Sequence, residues 1–356
     1  MTTPSMTTKK KSIIFIVNPI SGTQGKRAIV RWIEERIDRT LYEPTIVKTQ
    51  YAGHAEKIAA QAAAEGVDVV VAIGGDGTIN EVGRALIHTS TAMGIIPCGS
   101  GNGLARHLQI PLDPKGAIDL INQGHTVCID YGKINDLPFF CTCGVGFDAF
   151  VSLKFADSGK RGLLTYLENT LHESLRYKPE TYEIENEEGT VRTKAFLIAC
   201  GNASQYGNNA YIAPQASLTD GWMDVTILEP FTMLDVPSLS FQLFNKTIDQ
   251  NSRIKTFRAK KIKIHRAQEG VMHFDGDPIM GSKDIEVELI PHGLNVIVPD
   301  KTSPDLKKKE EHLPFNLLQQ ISDIFSGMKP SADVFSFRHS HLFELNRNLL
   351  RRLSKK

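Results

Sequence analysis

Three turns rich in glycine, each falling between a short β-branched run and a helical stretch, constrain the fold of this 356-residue chain more than any other feature. The runs 12–18 (SIIFIVN), 45–49 (TIVKT), 67–73 (VDVVVAI) and 93–97 (MGIIP) are short, apolar and bounded by Gly, Pro or Asn, which suits buried parallel strands. Between them, Gln24 to Arg39 carries Ile29, Ile33 and Ile37 on one helical face. Ala55 to Glu65 is rich in alanine, and Thr78 to His88 brings Ile79, Val82 and Leu86 together. Strand and helix alternating in this way predict βαβ units, a parallel sheet and right-handed crossovers.

From about Val127 the pattern changes. YEIENEEGTVRTKAFLIACGN, DGWMDVTIL, KIKIHR, GVMHFDGDP and DIEVELIPHGLNVIV read as strands with hairpin breaks, so this half is expected to be antiparallel β. Arg161 to Tyr177 interrupts it with leucines at helical spacing. At about 150 residues per domain the length allows two domains. The expected division is an α/β domain over 11–127, to which the chain returns near 299–328, an all-β sandwich-like domain over 128–298, and a helical extension over 329–356. A Lys/Pro-rich linker at Thr302 to Pro314 precedes that extension.

Composition removes several alternatives. With 41 Lys+Arg against 40 Asp+Glu the formal net charge is +1, so nothing global directs the chain to nucleic acid. The five cysteines lack zinc-ligand spacing and are expected to be reduced thiols. No uninterrupted apolar run approaches the ~20 residues that cross a bilayer. Lys9, Lys10 and Lys11 precede too short an apolar stretch for a signal peptide, so a cytoplasmic location is expected.

The three turns are Asn18-Pro19-Ile20-Ser21-Gly22, Gly74-Gly75-Asp76-Gly77-Thr78 and Gly99-Ser100-Gly101-Asn102-Gly103, each running into a helix at the carboxyl edge of the predicted sheet. Successive glycines let backbone N–H groups converge on an anion, and a helix N-terminus adds partial positive charge, a combination suited to nucleotide phosphates. No Gly-Lys-Ser/Thr closes a turn and the first turn lacks three glycines, so neither the P-loop nor the dinucleotide fingerprint applies.

These three motifs, with Glu81 following the second and Arg106 the third, resemble the diacylglycerol kinase catalytic-domain family, which includes bacterial lipid kinases and the sphingosine and ceramide kinases. Gly144-Val-Gly-Phe-Asp148, Gly201-Asn-Ala-Ser-Gln-Tyr-Gly207, Leu218-Thr-Asp-Gly-Trp-Met-Asp224 and Asp275-Gly-Asp277-Pro278 resemble the motifs of its β-sandwich half, so the likeness spans about 11–300. The resemblance implies transfer of the γ-phosphoryl group of ATP, with Mg2+, to a lipid hydroxyl in the cleft between domains. It implies a nucleotide site made of Asn18, Ser21, Gly22, Thr49, Gly74, Gly75, Gly77, Thr78, Gly99, Ser100, Gly101, Asn102 and Asp277. Asp76 would face the catalytic magnesium through water, and Asp275 would be the general base, with Asp76 the alternative base on the sphingosine kinase pattern. Asp220 would bind a structural magnesium or only form a turn. Asp148 would contact the lipid head group or only satisfy a strand end. Lys26 or Arg27 would add charge for phosphates or begin a solvated helix.

Two departures bear on the substrate. Asn102-Gly103-Leu104 stands where many bacterial members have Asn-Asp-Phe, and Asp277 stands where Glu is usual, which shortens its reach toward magnesium or ribose. Diacylglycerol or a related lipid is the first acceptor. A sphingosine- or ceramide-type lipid, an NAD kinase-like reaction and an inactive lipid-binding regulator are the alternatives. Residues 331–356 interleave Phe335, Phe337, Leu342 and Phe343 with Arg338, Arg347, Arg351 and Arg352, a pattern for an anionic membrane surface, a contact within the protein or a homodimer.

Overall fold

The β-branched runs of the first hundred residues pair in parallel. In the computed structural model, which describes residues 9–21, 25–158, 177–232 and 234–300, β1 (Lys11–Val17), β2 (Tyr42–Lys48), β3 (Val69–Gly74) and β4 (Ala92–Pro97) take the order β2-β1-β3-β4. Helices α1 (Lys26–Arg36), α2 (His54–Ala64) and α3 (Asp76–Leu86) make the crossovers. All six residues of β3 are buried, as expected of a strand covered on both faces. Because β1 and β3 are neighbours while β2 lies outside them, the chain reverses direction at the β1/β3 boundary, where open α/β sheets bind ligands. Two further helices follow, α4 (Gly103–His107) and α5 (Pro114–Gln123). The second has the ends its sequence prescribes: Asp113 accepts from Gly116 N, Pro114 occupies the first turn, and Gly124 closes it at φ 67°.

The rest of the chain is mainly antiparallel strand. It comprises β5 (Thr126–Ile134), β6 (Leu137–Phe139), β7 (Thr142–Gly146), β8 (Glu180–Asn186), β9 (Gly189–Ala195), β10 (Leu197–Gly201), β11 (Met223–Leu228), β12 (Ile254–Ala259), β13 (Lys261–Arg266), β14 (Gly270–Phe274), β15 (Asp277–Gly281) and β16 (Asp284–Ile297). Six of these form a sheet ordered β12-β11-β10-β7-β14-β15. It packs on β5, β6, β8, β13 and β16 through a core that includes Phe139, Val145, Ile198, Val225, Ile264 and Val287. Gly132 is required here, since a Cβ on it would lie 2.0 Å from the Phe139 ring. The opposite face of the six-stranded sheet is covered by α6 (Phe147–Ser158) and α7 (Val236–Phe244), with Phe147, Phe196, Leu197 and Leu239 buried there.

An α/β half with a parallel sheet and a β-sandwich half are therefore both present, as the sequence predicts. Strands β5 and β12 and helices α6 and α7 lack a clear periodic signal. The two halves also share one ten-stranded sheet, β2-β1-β3-β4-β16-β13-β8-β9, with β5 attached to β16 and β6 to β5. β16 pairs with β13 over Asp284–Glu288, with β5 along most of its length, and in parallel with β4 at Val296↔Met93. The expected helix within 161–176, the linker at 302–314 and the extension over 329–356 lie outside the described residues, as does the expected return near 299–328 beyond residue 300. Among the described residues no helix is long and apolar enough to cross a membrane.

Candidate active site

The first two turns interlock at the β1/β3 boundary. Asn18 N donates to Ile73 O (3.1 Å), and Asn18 Nδ2 donates to Thr78 Oγ1 (2.9 Å). Ser21 Oγ donates to Asn18 O (3.1 Å), and Thr49, buried beside them, is held by its N–H on Val17 O (2.9 Å). Gly74 must be glycine because a Cβ there would lie 2.5 Å from the Thr78 side chain. Gly22 lies outside the described residues.

Asp76 ties the second turn to the third. Its Oδ2 accepts from Asn102 N (2.9 Å) and its Oδ1 from Gly103 N (2.8 Å), while a Cβ on Gly99 would lie 2.8 Å from the Gly75 Cα. Asn102, left-handed at φ 50°, closes the third turn by bonding both N and O of Gly99. Gly101 O accepts from Arg106 Nε (3.0 Å) and Asn208 N (3.1 Å), and a Cβ on Gly207 would lie 3.0 Å from the Gly101 Cα, so the end of the Gly201–Gly207 motif of the β half seats this loop. Ser100 is exposed at its tip. Gly77 differs from its neighbours, because a Cβ on it would meet nothing within 4 Å and its φ is not left-handed. Neither packing nor backbone demands glycine there, and its absence of side chain keeps the N-terminus of α3 open to a ligand.

Asp275 lies on the other side of the 140–142 segment, whose Cys141 meets Gly103 of the third turn. It and Gly276 have φ of 50° and 86°, the left-handed pair required by a two-residue hairpin turn between β14 and β15. Its Oδ2 accepts from Phe140 N (2.7 Å) and its Oδ1 from Cys141 N (2.7 Å) and Thr142 N (3.1 Å). Burial pushes the Asp275 carboxyl up to about 6, against the pull of those three N–H groups and of Arg84. The Cys141 thiol is pushed well up by burial, then by Asp275 and Asp76. Cys141 N donates to Asp275, while a Cβ on Gly103, whose N–H bonds Asp76, would lie 3.5 Å from the Cys141 Sγ, so the two carboxylates flank the same segment.

The remaining predicted acids have other company. Asp277 is exposed and lies 3.5 Å from Arg84 Nη2. Asp148 is buried and accepts from Ala149 N (2.8 Å) and Tyr206 OH (3.1 Å), with His273 Nε2 at 3.0 Å. Asp220 pairs with Arg258 and accepts from Trp222 N (3.1 Å). Among the described residues no group of three or more His, Cys, Asp or Glu side chains forms a metal site. A magnesium ion would therefore take most of its ligands from water and phosphate, as that ion commonly does. The Lys26 Nζ is buried and has no partner among the described residues, which fits an anionic ligand beside the first turn.

Two residues of α3 were given no role by sequence reasoning, Glu81 being only a motif position and Arg84 unmarked. Glu81 caps α2 by accepting from Gly53 N (2.9 Å) and Ala55 N (3.1 Å), and so ties the second motif to the strand-end that carries Thr49. Arg84 reaches the Asp275 hairpin. Glu81 could have been found from the Gly-His start of α2, which offers free N–H groups and no side-chain cap.

Two family models cover nearly all of the described chain. Residues 12–134 match the diacylglycerol kinase catalytic domain, and residues 141–298 match the YegS C-terminal NAD kinase beta sandwich-like domain. The chain belongs to the diacylglycerol kinase catalytic-domain family and is a lipid kinase. A Serratia proteamaculans (strain 568) protein named as a probable lipid kinase, YegS-like, is 29% identical over 295 residues, covering 81% of this chain and 94% of the relative. An uncharacterized Synechocystis protein is 28% identical over 312 residues, covering 83% of this chain and 72% of its own. A solved diacylglycerol kinase from Bacillus anthracis str. Sterne shares the fold, with a TM-score of 0.65 at 20% identity over 83% of this chain and 100% of that one.

Proposed function

We propose that this chain transfers the γ-phosphoryl group of ATP, with magnesium, to the hydroxyl of diacylglycerol or a related lipid. The observation that carries the reading is a carboxylate, Asp275, bonded to the 140–142 segment, which lies against the glycine turn that Asp76 anchors. Phosphoryl transfer depends chiefly on position and charge neutralisation. The N–H groups at the start of α3 and those of Ser100 and Gly101, left over once Gly99, Asn102 and Gly103 bond within the site, are suited to bind phosphate oxygens, and Lys26 supplies a cation beside the first turn. Magnesium, when bound with the nucleotide near Asp76, supplies further positive charge. Asp275, once ionised, takes the proton of the lipid hydroxyl as its oxygen bonds to phosphorus, then releases it to solvent as the ADP leaves.

Labelled ATP incubated with the protein and a lipid extract is expected to yield a labelled lipid, whose identity names the acceptor. Label in NAD(P) instead would overturn the lipid reading. Replacing Lys26 by Met is expected to raise KM for ATP by about tenfold with little change in kcat, because the lost contact is made in ground and transition states alike. An unchanged KM would remove Lys26 from the nucleotide site. For the segment outside the described residues, the basic and aromatic sequence of 331–356 supports contact with an anionic membrane. Deleting it should abolish sedimentation with anionic vesicles, and undiminished sedimentation refutes that contact.

A further inference from the structure

The same helix that begins with Asp76 ends against the hairpin that carries Asp275. Phe274 and Asp277 are the cross-strand pair that closes the turn, and Arg84 engages both. Its guanidinium carbon lies 4.9 Å from the Phe274 ring centroid, and its Nη2 lies 3.5 Å from Asp277 Oδ2. The preceding residue secures the other side. A Cβ on Gly83 would fall 2.8 Å from the Phe140 ring, so glycine lets that ring lie directly on α3, and the Phe140 N–H donates to Asp275. Consecutive residues of α3 thus hold the turn bearing the acid and the segment between β6 and β7 that supplies its N–H donors.

We infer that Arg84 is a positioning residue for Asp275, gripping the closing pair of its turn and so fixing the acid relative to the glycine turn at the other end of α3. Nothing in the family motifs marks this arginine, and the inference rests on the reading of Asp275 as proton acceptor. The Arg84 Nε is buried without a hydrogen-bond partner among the described residues, so the contacts shown for this guanidinium are those with the Phe274 ring and the Asp277 carboxylate.

Arg84→Met in the full chain is expected to lower kcat by roughly tenfold to a hundredfold, the scale of an ångström-sized misplacement, with KM for ATP within about twofold. Arg84→Lys keeps the cation without the planar fork and should recover part of the loss. Hydrogen exchange followed by mass spectrometry is expected to show faster exchange of the 140–142 amides in Arg84→Met, and unchanged protection in the 69–74 strand reports an intact fold. Unchanged exchange at 140–142, or an equal defect in the Lys and Met variants, overturns the assignment. Faster exchange with kcat retained supports the positioning and refutes proton acceptance by Asp275, so the two readings fail separately.

Discussion

Asp275→Asn is expected to lower kcat by about a hundredfold to ten-thousandfold at pH 8, the usual contribution of a general base. The kcat/KM profile of the wild type should rise with pH through about 6, because the carboxyl must ionise before it can take a proton. The variant should lose that limb. Stability runs the other way. Burial raises this carboxyl above its unfolded value of about 3.9, so its contribution is fully present below that value and is lost as pH rises through about 6. The wild type should therefore gain thermal stability from this group on acidification from pH 7 to 5, and the variant should not. Activity within tenfold of wild type, together with a retained acidic limb, would exclude Asp275 as the base.

Asp76→Asn is expected to be nearly as damaging for a different reason. The carboxylate bonds the N–H groups of Asn102 and Gly103 with separate oxygens. An amide keeps one acceptor and turns its NH2 toward the other N–H, so two donors face each other where a bond was. The third glycine turn then loses its register against the second, which approach within backbone contact at Gly75 and Gly99. A loss of roughly a hundredfold in kcat/KM for ATP is expected, with KM raised, whether or not magnesium also uses this carboxylate. Steady-state kinetics on the purified variant decide it, and wild-type values for both constants would show that the bridge is dispensable.

The parts of this site that sequence makes legible are those whose chemistry is local. A glycine turn between a strand and a helix carries its own signal, and Asp275-Gly276 declares a hairpin turn because both residues tolerate left-handed φ. Asp148, Asp220 and Asp275 look alike in one dimension. Their difference arises only from the donors that folding brings to them: a tyrosine and a histidine for the first, an arginine for the second, three backbone N–H groups for the third. Arg84 was illegible for the same reason, since it acts on a segment far away in sequence, at 274–277, and Glu81 showed only as a motif position, its capping of 53–55 being equally remote. The fold shows the same division. Alternating periods announced the parallel strands, whereas the membership of β16 in the sheet of both halves is a matter of tertiary pairing alone.

That long strand has a mechanical consequence. β16 is pinned to β13 and β5 in the sandwich and reaches β4 beside the glycine turns, which makes it a beam running through the molecule. Swinging one half away from the other would shear its ladder, at a net cost of about 1 kcal/mol for every hydrogen bond broken. If Asp275 is the proton acceptor, entry of a bulky lipid and exit of its phosphorylated product are then expected at the rim of the site, with the acid and the phosphate turns held near one spacing by the strand that joins their halves.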